Sequence, residues 1–282
     1  MEKFIKLFKS SPKYSIKWDN YFNIYSNILK KFVKKKIIFV EVGVGNGGSL
    51  FMWKKFFGNK ARIIGIELNP EAKKLEKSGF EIFIGDQANP NFWKNFYKQV
   101  GKIDILLDDG GHKNIQQITT FMESIRYINN GGKIIVEDTH TSFMKKKGFK
   151  NPSKYSFINF CFHLIENMHR RNPMLEKNLN YYSKKIKQIN FHDSIVEIDI
   201  TENKSLKYSQ LLENNKQLRY YFTDYRHKGD FIITLKKFEK IFGKIEEDSL
   251  TFKIIRKIFH RNLFFSFKEK MRINRYIKTL KL

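Results

Sequence analysis

The sequence is poor in cysteine: its 282 residues include only Cys161, so it can build neither an internal disulfide nor a site of several thiolates. We expect Cys161 to be a small buried apolar residue in a protein of a reducing compartment. No run of about 18 uncharged apolar residues occurs, which argues against a membrane-spanning helix. The amino terminus also lacks the continuous apolar segment of a secretory signal. The sequence therefore predicts a cytoplasmic protein.

Acidic residues are scarce relative to basic ones, at 28 against 54, and the formal net charge is +26. A surplus of this size indicates a phosphate-bearing substrate, an anionic membrane surface or nucleic acid as a partner. A compositional bias toward Lys, Ile, Asn, Phe and Tyr is a second explanation, and both stay open. Hydrophobic residues make up 41% of the chain, which is enough for a large core.

Short β-rich runs alternate with helical segments in the first half of the chain. The predicted strands are 37–42, 62–67, 80–85, 103–107 and 132–137, and the predicted helices are 48–57, 70–77, 91–99 and 114–128. After a further helix at 153–170, two β-like runs around His192 predict an antiparallel hairpin that closes the sheet edge. This alternation predicts an α/β fold, a doubly wound Rossmann-like and mostly parallel sheet with helical extensions at both ends.

Four regions follow from these patterns. They are a helical extension at 1–36, assigned to the substrate side or an oligomer contact, a core at 37–200, an α/β continuation at 201–250 with at most one strand (FIITL), and a basic amphipathic helical tail at 251–282. Ten basic residues between 253 and 282 stand against the single acid Glu269. Such a tail can lie on an anionic membrane surface, at the inner face of the membrane. Its apolar face can equally pack on the domain or on a second subunit.

A glycine-rich loop follows the first predicted strand. It reads Glu41-Val-Gly-Val-Gly-Asn-Gly-Gly-Ser49, and Gly43, Gly45 and Gly48 have the Gly-x-Gly-x-x-Gly spacing of dinucleotide-binding loops. Ligands of open parallel sheets bind beyond the carboxyl ends of the strands, so the loop is placed for a ligand. A plain strand-to-helix turn is the alternative. Glu67, at the end of the second strand, suits a ribose diol, which NAD and S-adenosylmethionine (SAM) share.

Two features favour SAM over NAD. Glu41, just before the loop, suits the methionine ammonium of SAM and would repel a pyrophosphate, and Asp86 with Gln87 offers an acceptor and a donor to an adenine edge. Residues 37–140 resemble the class I SAM-dependent methyltransferases, in which the counterparts of Glu41, Glu67 and Asp86 contact the amino-acid part, the ribose and the adenine. The predicted cofactor is SAM, and its predicted binding residues are Glu41, Gly43, Gly45, Glu67, Asp86, Gln87 and Asp108.

Carboxylates follow two predicted strands that should be neighbours. The fourth strand ends in Asp-Asp-Gly-Gly-His112 and the fifth in Glu-Asp-Thr-His140. Neighbouring strands lie about 4.8 Å apart, so these side chains can converge on one ion. Unpaired carboxylates in one cleft repel one another, and a hard divalent cation resolves that conflict.

We predict Asp109, Glu137 and Asp138 as ligands of Mg²⁺ or another hard divalent cation. Such a cation lowers the pKa of a bound hydroxyl, and His112 is placed to accept the proton as general base. One of Asp108 and Asp109 is expected to face the cofactor instead of the metal. The alternatives are that either Asp caps the next helix and that His112 has a structural role.

The same residues resemble a branch of that family, the metal-dependent sugar O-methyltransferases of macrolide antibiotic biosynthesis, and related enzymes encoded with surface-polysaccharide genes. The resemblance implies that Asp109, Glu137 and Asp138 hold magnesium and that His112 is the base. The long basic tail and the region 202–250 depart from that branch, which leaves the acceptor, the oligomeric state and membrane association open.

The leading hypothesis is therefore a SAM- and Mg-dependent O-methyltransferase acting on a sugar hydroxyl, of a nucleotide- or lipid-linked sugar or a surface glycan. A phosphoryl or phosphoramidate oxygen, or a small phenol, is the alternative acceptor. An RNA-binding protein or RNA methyltransferase is more remote, because the basic residues are spread along the chain and no RNA-binding signature occurs. A scaffold without catalysis fits the intact acidic and His positions least. The three tryptophans, Trp18, Trp53 and Trp93, are expected to be packing residues.

Overall fold

The computed structural model describes residues 2–145, 153–201, 208–210, 212, 240, 250, 254 and 265–279. The chain divides into two compact units, Met1–Leu211 and Leu212–Leu282. The predicted FIITL strand and nearly all of the predicted continuation at 201–250 lie outside the described residues. Our division into four regions stays a prediction.

Seven strands of the first unit form one sheet. In chain order they are β1 Ile38–Val42, β2 Arg62–Glu67, β3 Glu81–Ile84, β4 Ile103–Asp108, β5 Ile128–Val136, β6 Ile186–Phe191 and β7 Val196–Ile200. The order across the sheet is β3-β2-β1-β4-β5-β7-β6; β1 to β5 are parallel, and β7 is antiparallel to β5 and β6. The predicted α/β class, with its antiparallel hairpin, is confirmed.

Helices flank the sheet. The α-helices among the described residues are α1 Glu2–Lys9, α2 Asp19–Leu29, α3 Gly48–Phe57, α4 Pro90–Val100, α5 Asn114–Ser124, α6 Phe157–His169, α7 Tyr181–Lys185 and, in the second unit, α8 Phe265–Thr279. The 3-10 helices cover Lys30–Phe32, Pro70–Ser78, Ile125–Tyr127, Thr139–Phe143 and Pro173–Leu175. The predicted helix at 70–77 is thus a 3-10 helix.

Each face of the sheet carries its own hydrophobic core, because alternate residues of a strand point to opposite faces. On one face Phe39 of β1 packs against Trp53 of α3, which in turn contacts Tyr25 of α2. The other face buries Trp93 of α4 and Cys161 of α6. Burial raises the pKa of the Cys161 thiol to about 12, as expected of an apolar core position. The helices α1 and α2 therefore belong to the core, and they bring the segment between them to the sheet.

The predicted helix at 114–128 is shorter in the structure. It ends as an α-helix at Ser124, and the Asn-Asn-Gly-Gly stretch at 129–132, just after the predicted helix, lies inside β5. Gly131 has a φ of +78°, and a Cβ on Gly132 would lie 2.4 Å from the carbonyl oxygen of Asp104. The β4–β5 pairing shifts register at this point. The two glycines therefore permit an irregular strand and do not end a helix.

The carboxyl ends of the central strands lie side by side. Val42 of β1 pairs with Ile66 of β2 and Asp108 of β4, and Asp108 pairs with Val136 of β5. The chain proceeds from β1 to β2 on one side and places β4 on the other, so the strand order reverses between β1 and β4. Ligands of open α/β sheets bind at such a switch point.

In the second unit, the side chains of residues 271–279 in α8 are exposed. Within the part of the chain that the structure describes, no helix combines the length and the apolar character needed to cross a membrane.

Candidate active site

A cleft of about 330 Å³ opens at the switch point between β1 and β4. Its volume and position suit a nucleoside-sized ligand. Turns that follow β1, β3 and β4 supply most of its wall. The lining residues are Val42, Gly43, Gly45, Ile66, Glu67, Leu68, Gly85, Asp86, Gln87, Asp109, Gly110, Gly111 and Gln116.

Gly43 lets the loop after β1 pass directly beside the turn after β4. Its φ is +82°, and a Cβ at this position would lie 2.1 Å from the carbonyl oxygen of Asp109. Gly45 also has a positive φ, +49°, but its Cβ position has no atom within 4 Å. Gly43 is therefore required for close packing of backbone, whereas Gly45 leaves space at the cleft.

Two acidic side chains predicted to bind the cofactor line the cleft. Glu67 accepts hydrogen bonds from the backbone N–H groups of Gly45 (2.9 Å), Leu68 (2.9 Å) and Asn69 (3.1 Å). Asp86 is exposed and accepts from the N–H of Ala88. Ionised carboxylates keep further lone pairs, so both side chains can still accept from a ligand.

Gln87, which lines the cleft, and Asp108, which does not, form a buried hydrogen-bonded pair that we call the bracket. The Gln87 amide donates to Asp108 Oδ1 at 2.9 Å and accepts from the Gly111 N–H at 2.9 Å. Burial raises the pKa of Asp108, and hydrogen bonds from Gln87 and Gly110 act against that rise. Asp108 does not line the cleft, so its predicted cofactor contact has no support in this geometry; Gln87 lines it with its amide already engaged.

Glu41 has no exposed surface and is not among the residues that line the cleft. Its carboxylate accepts from Ser49 Oγ at 2.7 Å and from the Trp53 indole at 3.1 Å. The cation nearest to it in the described chain is the ammonium of Lys17, at 3.6 Å. We predicted that Glu41 contacts the methionine ammonium of SAM; in the structure its cationic neighbour is Lys17 of the protein, and the contact with the cofactor stays a prediction.

Lys17 is the main site residue that sequence reasoning missed. Its Nζ lies 2.6 Å from Asp109 Oδ2 and 3.0 and 2.9 Å from the two oxygens of Glu137, and the side chain is 2% exposed. Burial alone would lower the pKa of this ammonium, but Asp109, Glu137 and Glu41 hold it well above its ordinary value. Lys17 therefore carries a permanent positive charge, and nothing in sequence distinguishes it from the other lysines.

Glu137 is fully buried in this cluster. One of its oxygens accepts from the Tyr25 phenol as well as from Lys17, and its backbone N–H donates to the Asp108 carbonyl at 2.9 Å. Burial and the nearby Asp109 carboxylate raise the pKa of Glu137, while Lys17 and Tyr25 oppose that rise. Both oxygens that we assigned to a metal are thus engaged within the protein.

A different triplet comes together at the surface of the same cluster. Asp109, His112 and Asp138 each offer a ligand atom, and these three atoms lie within 4.8 Å of one another. His112 Nε2 lies 3.3 Å from Asp138 Oδ2. Asp138 Oδ1 also accepts from the Tyr21 phenol at 2.5 Å. Of the predicted ligands, Asp109 and Asp138 belong to this triplet and Glu137 does not.

The triplet has the chemistry of a site for a divalent cation. Two carboxylates and an imidazole are ligands that Mg²⁺, Mn²⁺ and related ions accept. His112 Nδ1 is buried without a hydrogen-bond partner among the described residues. His112 and Asp138 also have positive φ values, +55° and +52°. Non-glycine residues rarely adopt this strained conformation, and those that do cluster at functional sites.

Trp18 departs from our expectation of a packing residue, since it is 59% exposed. Its indole donates to Asp138 Oδ1 at 3.2 Å and meets the His140 ring edge-on at 6.3 Å. A second cavity, of about 440 Å³, is lined by residues that include Thr139, the residue that follows Asp138. It is lined by Thr139, His140, Phe143, Ile158, Phe162, Phe191, His192, Asp193 and Ser194. Trp18 and this cavity provide an aromatic surface beside the triplet.

The chain is similar in sequence to several O-methyltransferases. It is 28% identical over 165 residues to 8-demethyl-8-alpha-L-rhamnosyl tetracenomycin-C 2'-O-methyltransferase of Streptomyces olivaceus, a match that covers 55% of this chain and 43% of that protein. It is 29% identical over 133 residues to mycinamicin VI 2''-O-methyltransferase of Micromonospora griseorubida, over 45% and 31% of the two chains. These matches span less than half of each relative. No family model matches the chain.

The fold is similar to that of a solved methyltransferase. MycE of the mycinamycin biosynthetic pathway, solved with Mg, SAH and mycinamycin VI, superposes with a TM-score of 0.63. The superposition covers 76% of this chain and 56% of MycE at 20% sequence identity. This likeness supports the fold class that the strand order already indicates.

Proposed function

We propose that this chain methylates a sugar hydroxyl. It would do so as a class I SAM-dependent methyltransferase related to the metal-dependent sugar O-methyltransferases. The observation that carries this proposal is the convergence of Asp109, His112 and Asp138 next to the cleft at the switch point. The names of the sequence relatives support a sugar as the acceptor. Since the chain matches less than half of their length, its own acceptor is a proposal.

The cleft would bind SAM, which supplies an electrophilic methyl group when bound. Glu67 would accept from the ribose hydroxyls and Asp86 from the adenine, while Gly43 and Gly45 would line the ligand. Gln87 would fix the turn after β4 through its hydrogen bond with Gly111. Glu41 would stabilise the position of the Lys17 ammonium. Asp108 would act through the same bracket. This assignment keeps the predicted cofactor and reduces the number of side chains that touch it.

Asp109 and Asp138 would hold the divalent cation, whose chemistry is to lower the pKa of a bound hydroxyl. His112 Nε2 would accept the hydroxyl proton, and the Asp138 carboxylate 3.3 Å away would stabilise the imidazolium that results. SAM, held through Glu67 and Asp86, would supply the methyl group to the deprotonated oxygen, with S-adenosylhomocysteine as the leaving group. The alternative role of His112 is that of a third metal ligand. The affinity of a His112 variant for the metal distinguishes a base from a ligand, because only loss of a ligand weakens metal binding.

The second cavity would hold the acceptor. Phe143, Phe162 and Phe191 expose ring surface around it, and its lining among the described residues contains an Asp but no Lys or Arg. Aromatic rings pack well against the apolar face of a sugar or a hydrophobic aglycone. This supports a neutral glycoside over the nucleotide-linked sugar that the net charge suggested. Lipid-linked sugars and surface glycans remain acceptors to test.

The acceptor class is tested by methyl transfer from radiolabelled SAM in the presence of Mg²⁺. Neutral deoxyhexosides form one panel, and sugar nucleotides, phosphoryl compounds, catechols and RNA form the matched panels. We expect label on the neutral glycosides, and NMR of the product locates the new methoxy group. Label on RNA, a phenol or a phosphoryl oxygen, with none on any sugar, would contradict the proposal.

Association with an anionic membrane is a further proposal for the basic tail. The described part of α8 exposes Arg272, Arg275 and Lys278 together with Ile273 and Tyr276. Basic and apolar side chains on one exposed helix favour an anionic lipid surface. Sedimentation with vesicles that contain anionic lipid, against neutral vesicles, tests it. Equal sedimentation with both would contradict it. Size-exclusion chromatography with light scattering tests the other reading of the tail, contact with a second subunit.

A further inference from the structure

The segment 10–18, which we call the strap, joins α1 to α2 and crosses the start of α3. Ser11 Oγ donates to the Gly48 carbonyl at 2.8 Å. A Cβ on Gly48 would lie 2.4 Å from the carbonyl oxygen of Lys13 and 2.6 Å from that of Tyr14. The third glycine of the loop motif is therefore needed for contact with the strap. This contact fixes the path by which the chain reaches the carboxylate cluster.

The strap positions the Lys17 ammonium so that it has three hydrogen-bond acceptors. Its N–H groups point to one oxygen of Asp109 and to both oxygens of Glu137. An ammonium has three donors and no acceptor, so this side chain is fully engaged. It thus occupies the position where two of the three ligands predicted from the sequence converge.

The charges of the cluster leave a role for a second cation. Glu41, Asp109, Glu137 and Asp138 bring four carboxylates, and Lys17 contributes one positive charge. A single ammonium does not balance this set. Its position nevertheless decides which oxygens stay available, because Asp138 and the other oxygen of Asp109 make no contact with it in the described structure.

We propose that Lys17 is a positioning residue that withholds Glu137 and one oxygen of Asp109 from the divalent cation. The cation is thereby confined to Asp109 and Asp138, next to His112. This inference rests on the proposed function. Without Lys17, Asp109, Glu137 and Asp138 become an all-oxygen set of the kind that hard cations prefer, and the cation binds more tightly but is drawn toward Glu137, out of the position that it shares with His112 in the wild type.

The test measures Mn²⁺ binding to the full chain by calorimetry, in parallel with methyl transfer. We expect Lys17→Met to bind Mn²⁺ about tenfold or more tightly and to lose methyl transfer by about 100-fold. Lys13→Met removes an exposed lysine side chain of the same strap and should match the wild type in both. Adding Glu137→Gln to Lys17→Met should return the affinity for Mn²⁺ toward the wild-type value. Unchanged or weaker binding in folded Lys17→Met overturns the proposal.

A second comparison needs no change at Lys17 and stays decisive if Lys17→Met does not fold. In the otherwise native chain, Glu137→Gln should keep the Mn²⁺ affinity within about threefold, because Lys17 already occupies that carboxylate. Asp138→Asn should weaken binding by about tenfold or more. A loss with Glu137→Gln as large as with Asp138→Asn overturns the proposal. Normal metal binding without methyl transfer to any sugar would instead refute the proposed function alone.

Discussion

His112 Nε2 lies 3.3 Å from Asp138 Oδ2, although the two residues follow different strands of the sheet. Both have left-handed backbone conformations, and Asp138 is held on its other oxygen by Tyr21 and Trp18. A carboxylate that is fixed in this way can orient an imidazole and stabilise its charged form. The pair is therefore the part of the site most directly suited to proton transfer.

Replacing His112 with Gln should lower kcat for methyl transfer by about 100-fold or more, since a positioned base contributes that much. SAM affinity by calorimetry should stay the same, because His112 does not line the cleft. Affinity for Mn²⁺ should also stay the same if His112 acts as the base. Loss of Mn²⁺ binding together with activity would show that His112 is a metal ligand.

Gly43→Ala should abolish SAM binding and destabilise the fold. The new Cβ meets the Asp109 carbonyl at 2.1 Å, in addition to the cost of a positive φ. Gly79→Ala is the matched control, because Gly79 has a φ of +83° and no atom within 4 Å of its Cβ position. We expect urea unfolding to show a loss of about 1 kcal/mol for Gly79→Ala and clearly more for Gly43→Ala. Equal losses would mean that the close approach at Gly43 is unimportant.

The stability of the sheet edge should depend on pH through Glu197. Burial acts to raise the pKa of this carboxyl, but hydrogen bonds from Lys133 and Asn190 and the charge of Lys133 outweigh it and lower the pKa. The pKa of an unfolded glutamate is about 4.3, and a lower pKa in the folded state stabilises the fold fully at pH values above the unfolded pKa. This stabilisation is lost as the pH falls through the folded-state pKa. The contribution is therefore complete at neutral pH.

Glu197→Gln should accordingly reduce the free energy of unfolding at pH 7 by about 1–3 kcal/mol, since it leaves Lys133 with one partner fewer. The difference from the wild type should shrink as the pH is lowered from about 5 to 3. Urea unfolding at several pH values measures this, and Glu2→Gln, at an exposed position, is the control. A difference that stays constant over this range would contradict the role of Glu197.

Phe162 provides a test of the acceptor cavity. Its side chain is 58% exposed and lines the cavity, so Phe162→Ala removes ring surface without opening the core. We expect KM for the glycoside to rise by about tenfold, with stability and SAM affinity unchanged. Ile115→Ala is the control, because Ile115 is an exposed apolar residue of α5 that does not line this cavity. An unchanged KM for Phe162→Ala would remove this cavity as the acceptor site.

The sequence predicted the sheet and the place of the site, because both depend on local patterns. Apolar strands separated by helices specify a parallel sheet, and polar residues directly after β4 and β5 must meet where those strands end. That His112 lies with Asp109 and Asp138 while Glu137 points inward was not predictable, and the identity of the metal ligands stays a proposal. Neighbouring residues at a strand end point in different directions, and Glu137 turns inward to Tyr25 while Asp138 turns outward.

Lys17 could not be predicted for a related reason. It lies 92 residues before Asp109 and 120 before Glu137, and only the packing of α1 and α2 on the sheet brings it there. The Trp18 indole, which we expected to be buried, is exposed because its neighbour Lys17 takes the inward position. Contacts between distant segments are fixed by tertiary packing, which single-sequence patterns do not report.

The most direct test of the account is a Mg²⁺ titration of the initial rate of methyl transfer from SAM to a neutral glycoside, after the chain has been stripped with EDTA. We expect no transfer without the cation, saturable recovery with Mg²⁺, and a half-saturating concentration that rises about tenfold in Asp138→Asn. Transfer at the full rate in EDTA, or an unchanged titration in Asp138→Asn, would contradict a cation held by Asp109 and Asp138.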